Sequence, residues 1–390
     1  MSLIERESNV LFHTYKRLPI EIERTEGMYI YTKDGNKYLD MLGGIAVNSL
    51  GHSNPKIIEA IEIQIRRYMH VSNFFYQDKQ IEFAEKLSKQ TGYSKVFLSN
   101  SGSESTEGSL KLARLWGTKN NKNEIVAFTG SFHGRTYGAL SLMDKPKYKN
   151  GMGPFLPNIK VIEYNNVEKL IETISINTNA VCLEFIQGEG GVEKVSEEFV
   201  NVLKELKNKF NFLIMADEVQ AGAGRTGVFN SFDQFNIKPD IIWLAKGIGG
   251  GLPLGAILAN DEIASLWTYG KHGTTFGGNA VSCSAGIVVL DELNNGLMND
   301  VKLVGNDFIF KLNLLKNKFP EKIKEVRGEG AIIGIEMFEN AETFVNKLLE
   351  QKIISNSTNG NVIRLLPPLI YTSEHNELFV NEFEKILLTN

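Results

Sequence analysis

The sequence predicts an α/β fold: a mainly parallel central sheet with helices on both faces, plus a smaller α+β domain formed by the C-terminal part with the N-terminal segment. Three observations predict it. From about residue 95, short apolar runs alternate with helical stretches, the pattern of strands buried on both faces. After about residue 285 that alternation gives way to a third of different texture. The chain of 390 residues is also long enough for a large core and more than one domain. The expected division is an N-terminal segment 1–50, a large domain 51–285 and a small C-terminal domain 286–390.

The first segment holds a short helix candidate and then Gly27 to Asp40, where alternating apolar residues around Asp34-Gly35-Asn36 are a hairpin signature. Gly43 to His52 is loop-like and apolar. Asn54-Pro55 opens a helix with Ile58, Ile61 and Ile65 at helical spacing. Strands are expected at Val96–Leu98, Ile125–Phe128, Lys160–Ile162, Ala180–Ile186, Phe212–Ala216 and Asp240–Leu244. Helices between them include Glu104–Trp116, Val167–Ile174 and Glu197–Lys209. A long helix, Ala280–Leu293, leads to the last third. There a helix near Val301–Leu315 precedes strands at Val326–Gly328 and Ala331–Met337, then helix, strand and terminal helix.

Composition excludes several classes of function. A net charge of −4 carries no electrostatic footprint for nucleic acid or an anionic membrane, so neither is expected as a partner. No run approaches the ~18 apolar residues of a membrane span, and the first residues show no apolar signal region. Cys182 and Cys283, far apart in apolar or small-residue surroundings, read as reduced core thiols, which fits a cytoplasmic setting. The six histidines are scattered without ligand spacing, so no metal site is expected.

The unusual residues fall after strands, where ligands sit on such sheets. Lys246 follows the run Asp240–Leu244 and precedes a glycine-dense turn, Gly247-Ile248-Gly249-Gly250-Gly251. A lysine there suits a Schiff base, because desolvation lowers an amine's pKa and frees a nucleophile. A phosphate-binding glycine loop or a surface lysine fits the same stretch. Asn100-Ser101-Gly102-Ser103-Glu104 opens a helix; Ser101 with Glu104 fits a capping box, and Gly102 and Ser103 would turn free N–H groups outward. That stretch is a phosphate site or a plain helix cap. Phe132 suits stacking on a flat ring and Arg135 suits capture of a carboxylate, while core packing and a surface salt bridge remain open for them. Asp217 ends a buried strand, where a carboxylate needs a cation or hydrogen-bond donors. A protonated ring nitrogen, a metal or an internal arginine would serve.

Together, a lysine, an acid one strand-to-strand step away and an anion-binding helix start are what pyridoxal 5'-phosphate (PLP) requires. The glycine order fits neither a P-loop nor a dinucleotide fingerprint. At this point the chain resembles the class III (ω-amino acid) PLP-dependent aminotransferases of PLP fold type I. The likeness runs from Tyr15 to Arg364. It rests on Asn100–Glu104, Ser131-Phe132-His133-Gly134-Arg135-Thr136, Gln187-Gly188-Glu189-Gly190-Gly191, Asp217-Glu218-Val219-Gln220 and Lys246–Gly251, in the family's order.

The resemblance implies a role for each residue. Lys246 would hold the cofactor covalently and shuttle the proton, and Asp217 would pair with the pyridine nitrogen. Phe132 and Val219 would cover the two ring faces, and Gln220 would reach the phenolic oxygen. Gly102 and Ser103 would bind phosphate. The stretch His272 to Asn279, with Thr275 as the contact, would complete the phosphate cup of a neighbouring subunit, making a homodimer part of the site. Thr274 beside it is a substrate-binding candidate. Arg135, with Tyr15 beside it, would hold the carboxylate of the ω-amino substrate and the side-chain carboxylate of glutamate. Arg364 would bind glutamate's α-carboxylate, and Glu189 would pair with it when an ω-amine occupies the site.

Two departures from the family pattern are compatible with this: Ser103-Glu104-Ser105-Thr106-Glu107-Gly108 in the cup, and Phe185 in place of a usual proline. Ile45 stands where ornithine enzymes carry a tyrosine that grips free ornithine, which points to an N-acylated donor. The expected reaction moves the δ-amino group of N2-acetylornithine to 2-oxoglutarate, giving N-acetylglutamate 5-semialdehyde and glutamate, within arginine biosynthesis. N-succinylornithine, succinyldiaminopimelate, ornithine and 4-aminobutyrate are alternative donors. Glutamate-1-semialdehyde aminomutation on the same fold is a more distant one.

Overall fold

The computed structural model describes residues 3–389; Met1, Ser2 and Asn390, the ends of the expected first and last segments, lie outside the described residues. After a short helix, Leu3–Val10, come three short strands: β1 (Ile22–Glu26), β2 (Tyr29–Thr32) and β3 (Lys37–Asp40). They form an antiparallel meander, with the β2–β3 hairpin turning at Asp34-Gly35-Asn36 as the alternation predicts. The helix Pro55–Arg67 follows, its start fixed by the Asn54 side chain, which accepts from the Lys56 and Ile57 amides. Its buried side is Ile57 and Gln64 with Ile61 partly covered, so the expected stripe is rotated: Ile58 and Ile65 are exposed.

The central sheet is built from β4 (Lys95–Ser99), β5 (Glu124–Phe128), β6 (Ile159–Ile162), β7 (Thr178–Leu183), β10 (Leu213–Asp217), β11 (Ile241–Leu244) and β12 (Gly255–Ala259). A two-stranded hairpin, β8 (Ile186–Gln187) with β9 (Glu193–Lys194), branches off after β7. The order across the sheet is β4-β12-β11-β10-β7-β5-β6. All pairs are parallel except those of β12, which runs against both β11 and β4.

β12 falls outside the expected strands, because Gly255 and Ala256 follow Leu252-Pro253-Leu254 and read as part of the glycine turn. Its later residues, Ile257-Leu258-Ala259, are what make it a strand. The chain returns from β11 over residues 245–254 to run antiparallel beside it, and an antiparallel neighbour needs no crossover helix.

Successive residues of each inner strand enter different cores. Val126, Ile214 and Ile242 pack on one face, while Ile125, Leu213 and Ile241 pack on the other. Each such side chain contributes about 1.5–3 kcal/mol when fully buried. This two-sided burial erases the polar alternation of an exposed sheet, so these strands read as continuous apolar runs.

The last third holds the antiparallel sheet β13-β14-β17-β16, from β13 (Ile323–Glu329), β14 (Ile332–Met337), β16 (Asn356–Thr358) and β17 (Val362–Leu365). The two-residue β15 (Ile353–Ile354) pairs parallel with β3, tying the N-terminal strands to this part of the chain. The helices Met298–Lys318, Ala341–Glu350 and Ser373–Thr389 accompany these strands. Among the described residues no helix is long and apolar enough to cross a membrane.

Candidate active site

β4, β5, β7, β10 and β11 run in one direction, so their carboxyl ends gather at one edge of the sheet. Segments leaving those ends line a cavity of about 350 Å³. Lys246 sits in it, two residues past β11, as the first residue of a 3₁₀ turn to Gly249. Its φ of +48° is in the left-handed region, a conformation that costs a non-glycine residue roughly 1–2 kcal/mol. The amine has no hydrogen-bond or ion-pair partner among the described residues. Burial lowers its pKa and Arg364 adds to this, while Asp217, Glu189 and Glu184 oppose. An unpaired amine with a depressed pKa is a nucleophile in waiting.

The turn's glycines pack against this chain itself. A Cβ on Gly250, whose φ is +57°, would lie 2.7 Å from Ile57 Cδ1. The glycine-rich turn therefore lets the turn seat on the helix Pro55–Arg67.

Asp217 ends β10 with its carboxylate buried and one protein partner on each oxygen. Its Oδ1 accepts from the Val219 amide at 3.0 Å, and its Oδ2 lies 2.7 Å from His133 Nδ1. On the far side of the imidazole, Cys182 Sγ is 3.8 Å from Nε2. Burial works against a charged His133; Cys182 and the hydrogen-bonded Asp217 outweigh it and raise its pKa well above the ordinary value. Glu218, next in sequence, turns into the protein and accepts from the Ser231 amide and hydroxyl at 2.7 and 2.6 Å.

Glu184 also lines the cavity, immediately past β7. It accepts from the Phe132 amide at 2.9 Å. Burial pushes its carboxyl up to about 7, with His133 opposing and Asp217 reinforcing. The expected strand Ala180–Ile186 ran straight through this residue and hid it. The strand stops at Leu183, so Glu184 directly follows β7, while Asp217 is the last residue of β10. The rule applied to Asp217, an acid closing an apolar run, would have found it.

The helix Gly102–Lys119 starts at the same edge. Ser101 Oγ accepts from the Glu104 amide at 3.2 Å, the first half of a capping box. The second half departs from it: the Glu104 carboxylate accepts from the amide and side chain of Asn100, at 2.5 and 2.9 Å. The first-turn amides of Gly102 and Ser103 have no intrahelical acceptor and line the cavity. Ser103 Oγ in turn accepts from the Arg135 amide at 3.3 Å. Gly134 makes this approach possible, since a Cβ there would stand 2.2 Å from Ser103 Oγ. Phe132, Val219 and Gln220 also line the cavity.

Arg364, on β17, is 1% exposed and lies behind Gln220. Its NH1 donates to Glu189 Oε1 at 2.5 Å and to Gln220 Oε1 at 3.1 Å, and its Nε donates to Asn356 Oδ1 at 3.2 Å. Burial opposes the Glu189 charge; Arg364, aided by Lys145, outweighs it and holds the carboxyl below its usual value. Nothing local to Asn356 marks it in the sequence. It meets Arg364 because β16 pairs with β17 at that register.

The remaining expected residues fall outside the cavity lining. Arg135 is exposed, its guanidinium 3.6 Å above the Tyr148 ring and 5.4 Å from Phe132. The Tyr15 ring is 75% exposed, with the Arg17 guanidinium 5.5 Å from its centroid. Thr274 Oγ1 accepts from Asn100 Nδ2 at 3.1 Å, and Thr275 is exposed. Ile45 is 41% exposed, with φ +64° inside a left-handed turn; Val47 lines the cavity instead.

An unpaired amine, a buried carboxylate tied to an imidazole, two free helix-start amides and two apolar flanks fit PLP by their donor chemistry. Comparison with known proteins agrees. The family profile described as Aminotransferase class-III matches residues 11–387. The chain is 44% identical to the acetylornithine aminotransferase of Aquifex aeolicus (strain VF5), over 97% of this chain and 99% of that one. Among solved structures it is similar to the acetylornithine aminotransferase of Elizabethkingia anophelis (TM-score 0.89, 34% identity, 99% and 98% of the two chains). It is also similar to the ornithine aminotransferase of Toxoplasma gondii, in a structure with PLP at partial occupancy in the active site (TM-score 0.93, 29% identity, 99% and 94%). The chain belongs to the class III aminotransferases, enzymes that work with PLP.

Proposed function

We propose that this enzyme transfers the δ-amino group of N2-acetylornithine to 2-oxoglutarate, giving N-acetylglutamate 5-semialdehyde and glutamate, as a step of arginine biosynthesis. The observation that carries the proposal is the Arg364–Glu189 pair behind the Lys246 cavity. A buried guanidinium needs a carboxylate, supplied by the protein in one half-reaction and by substrate in the other. The names of the relatives at 40–44% identity support the acetylated donor.

Bound PLP supplies an electron sink that stabilises negative charge on the carbon carrying the amine. Lys246 Nζ would hold it and, once released, take the proton from that carbon; its depressed pKa keeps a neutral fraction available. Asp217, steadied by His133, would keep a ring nitrogen protonated. Gly102 and Ser103 would receive the phosphate, Phe132 and Val219 the ring faces, and Gln220 the phenolic oxygen. Arg135 would bind the carboxylate of the acylated donor, then glutamate's distal carboxylate; Arg364 would bind glutamate's α-carboxylate. An aliphatic Ile45, rather than a tyrosine, supports a donor whose α-amine is acylated. The proposal includes a homodimer in which Thr275, exposed on its own chain, completes the partner's phosphate cup. It also includes a cytoplasmic setting, supported by two unpaired buried thiols.

The test is kcat/KM with 2-oxoglutarate for acetylornithine, succinylornithine, ornithine and 4-aminobutyrate. Acetylornithine should lead, with ornithine at least tenfold lower (about 1.4 kcal/mol of transition-state binding). Ornithine equal to or above acetylornithine would overturn the assignment.

A further inference from the structure

When a substrate carboxylate takes Arg364, the Glu189 carboxylate has to go elsewhere. Its backbone cannot follow easily. The Glu189 carbonyl oxygen accepts from Thr358 Oγ1 at 2.7 Å and from Lys145 Nζ at 2.9 Å, so two donors from separate segments pin it. Its side chain is freer, 23% exposed against 1% for Arg364. The motion available to Glu189 is thus rotation about its own side-chain bonds.

We propose that Lys145 is the alternative partner of the Glu189 carboxylate, receiving it when a dicarboxylic substrate occupies Arg364. This rests on the reading of Arg364 and Glu189 as a switch. Lys145 Nζ has three donors and makes one hydrogen bond, to the backbone of the residue whose side chain must move. Being bonded to that carbonyl, the ammonium keeps a fixed place relative to the Glu189 Cα, and side-chain rotation brings the carboxylate to it. The charges already interact. Burial lowers the Lys145 pKa, the Glu189, Glu184 and Asp144 carboxylates oppose this, and Arg364 adds to the lowering. Two cations therefore share one mobile carboxylate. The buried one holds it while no substrate carboxylate is present, and the half-buried one takes it when the substrate displaces it. Without Lys145, displacement would leave Glu189 next to the incoming carboxylate, a like-charge contact that disfavours binding. Lys145 is in this sense a positioning residue for one half-reaction.

The experiment is a double-mutant cycle on the PLP-loaded enzyme, with the two half-reactions measured separately. Lys145→Met should raise KM for glutamate and 2-oxoglutarate by about tenfold with kcat changed less than about twofold, and leave the ω-amine half-reaction near wild type. Lys145→Arg should restore most of the glutamate affinity. In a Glu189→Gln background, where no carboxylate needs a refuge, Lys145→Met should add less than about a twofold effect. A loss shared equally by both half-reactions, or one that persists in the Glu189→Gln background, would overturn the proposal and leave Lys145 as a loop staple. If Glu189→Gln alone fails to favour glutamate over the ω-amine, the switch itself is wrong, and the role of Lys145 falls with it.

Discussion

Arg364 and Arg135 carry the same charge, each one step behind the lining of the Lys246 cavity, and the protein treats them in opposite ways. Arg364 lies within β17, almost wholly buried, with three hydrogen-bonding partners, one of them a carboxylate of the protein's own. Arg135 follows a loop, exposed, and rests on the Tyr148 ring with no ion-pair partner among the described residues. The difference teaches what burial demands. A guanidinium out of water must always be paired, so a site that uses it for one substrate and not the other needs an internal acid and a place to put it. An exposed one is solvated when idle and requires no switch, which suits a residue serving both substrates.

The largest effect that would sharpen this contrast comes from Arg364→Ala. Removing a buried guanidinium that makes charged hydrogen bonds, each worth roughly 1.5–3 kcal/mol, should lower kcat/KM for glutamate by about a thousandfold. The ω-amine half-reaction should fall less than about tenfold. Equal losses in both would make Arg364 a structural core residue and erase the distinction. Next comes Arg135→Ala, for which KM should rise about 10- to 100-fold for donor and acceptor alike, with smaller changes in kcat. A defect confined to one substrate would show that Arg135 is as selective as Arg364. The smallest is Tyr148→Leu, which removes the ring under Arg135. Loss of an exposed cation–π contact should raise both KM values about two- to fivefold. No change would mean that the stacking seen at 3.6 Å does not orient the guanidinium.

Much of the cofactor side is legible in local pattern. Lys246 and Asp217 close apolar runs, and Gly102 and Ser103 open a helix behind a serine cap; these are neighbour relations along the chain. Glu184 obeys the same rule and was obscured only by Phe185-Ile186 beyond it, two apolar residues that prolong the run after β7 has ended. β12 was obscured in the reverse way, by glycine and proline ahead of it. The carboxylate side is legible in part. Arg364 and Glu189 emerge from family likeness, whereas Asn356 and Lys145 lack any motif and take their meaning from pairings across 8 and 44 residues of chain.

By itself the sequence determined the layered α/β plan, the strand ends that carry Lys246 and Asp217, and the helix start at Ser101. Hydrophobic periodicity and capping act over a few residues, and burial on both faces of the sheet leaves them no alternative. Only the tertiary structure decided that His133 meets Asp217, that Asn356 meets Arg364, and that Lys145 donates to the Glu189 carbonyl. Those are polar and charged pairings between separate segments. Their strength depends on distance and desolvation, which exist only once the strands have brought the segments together.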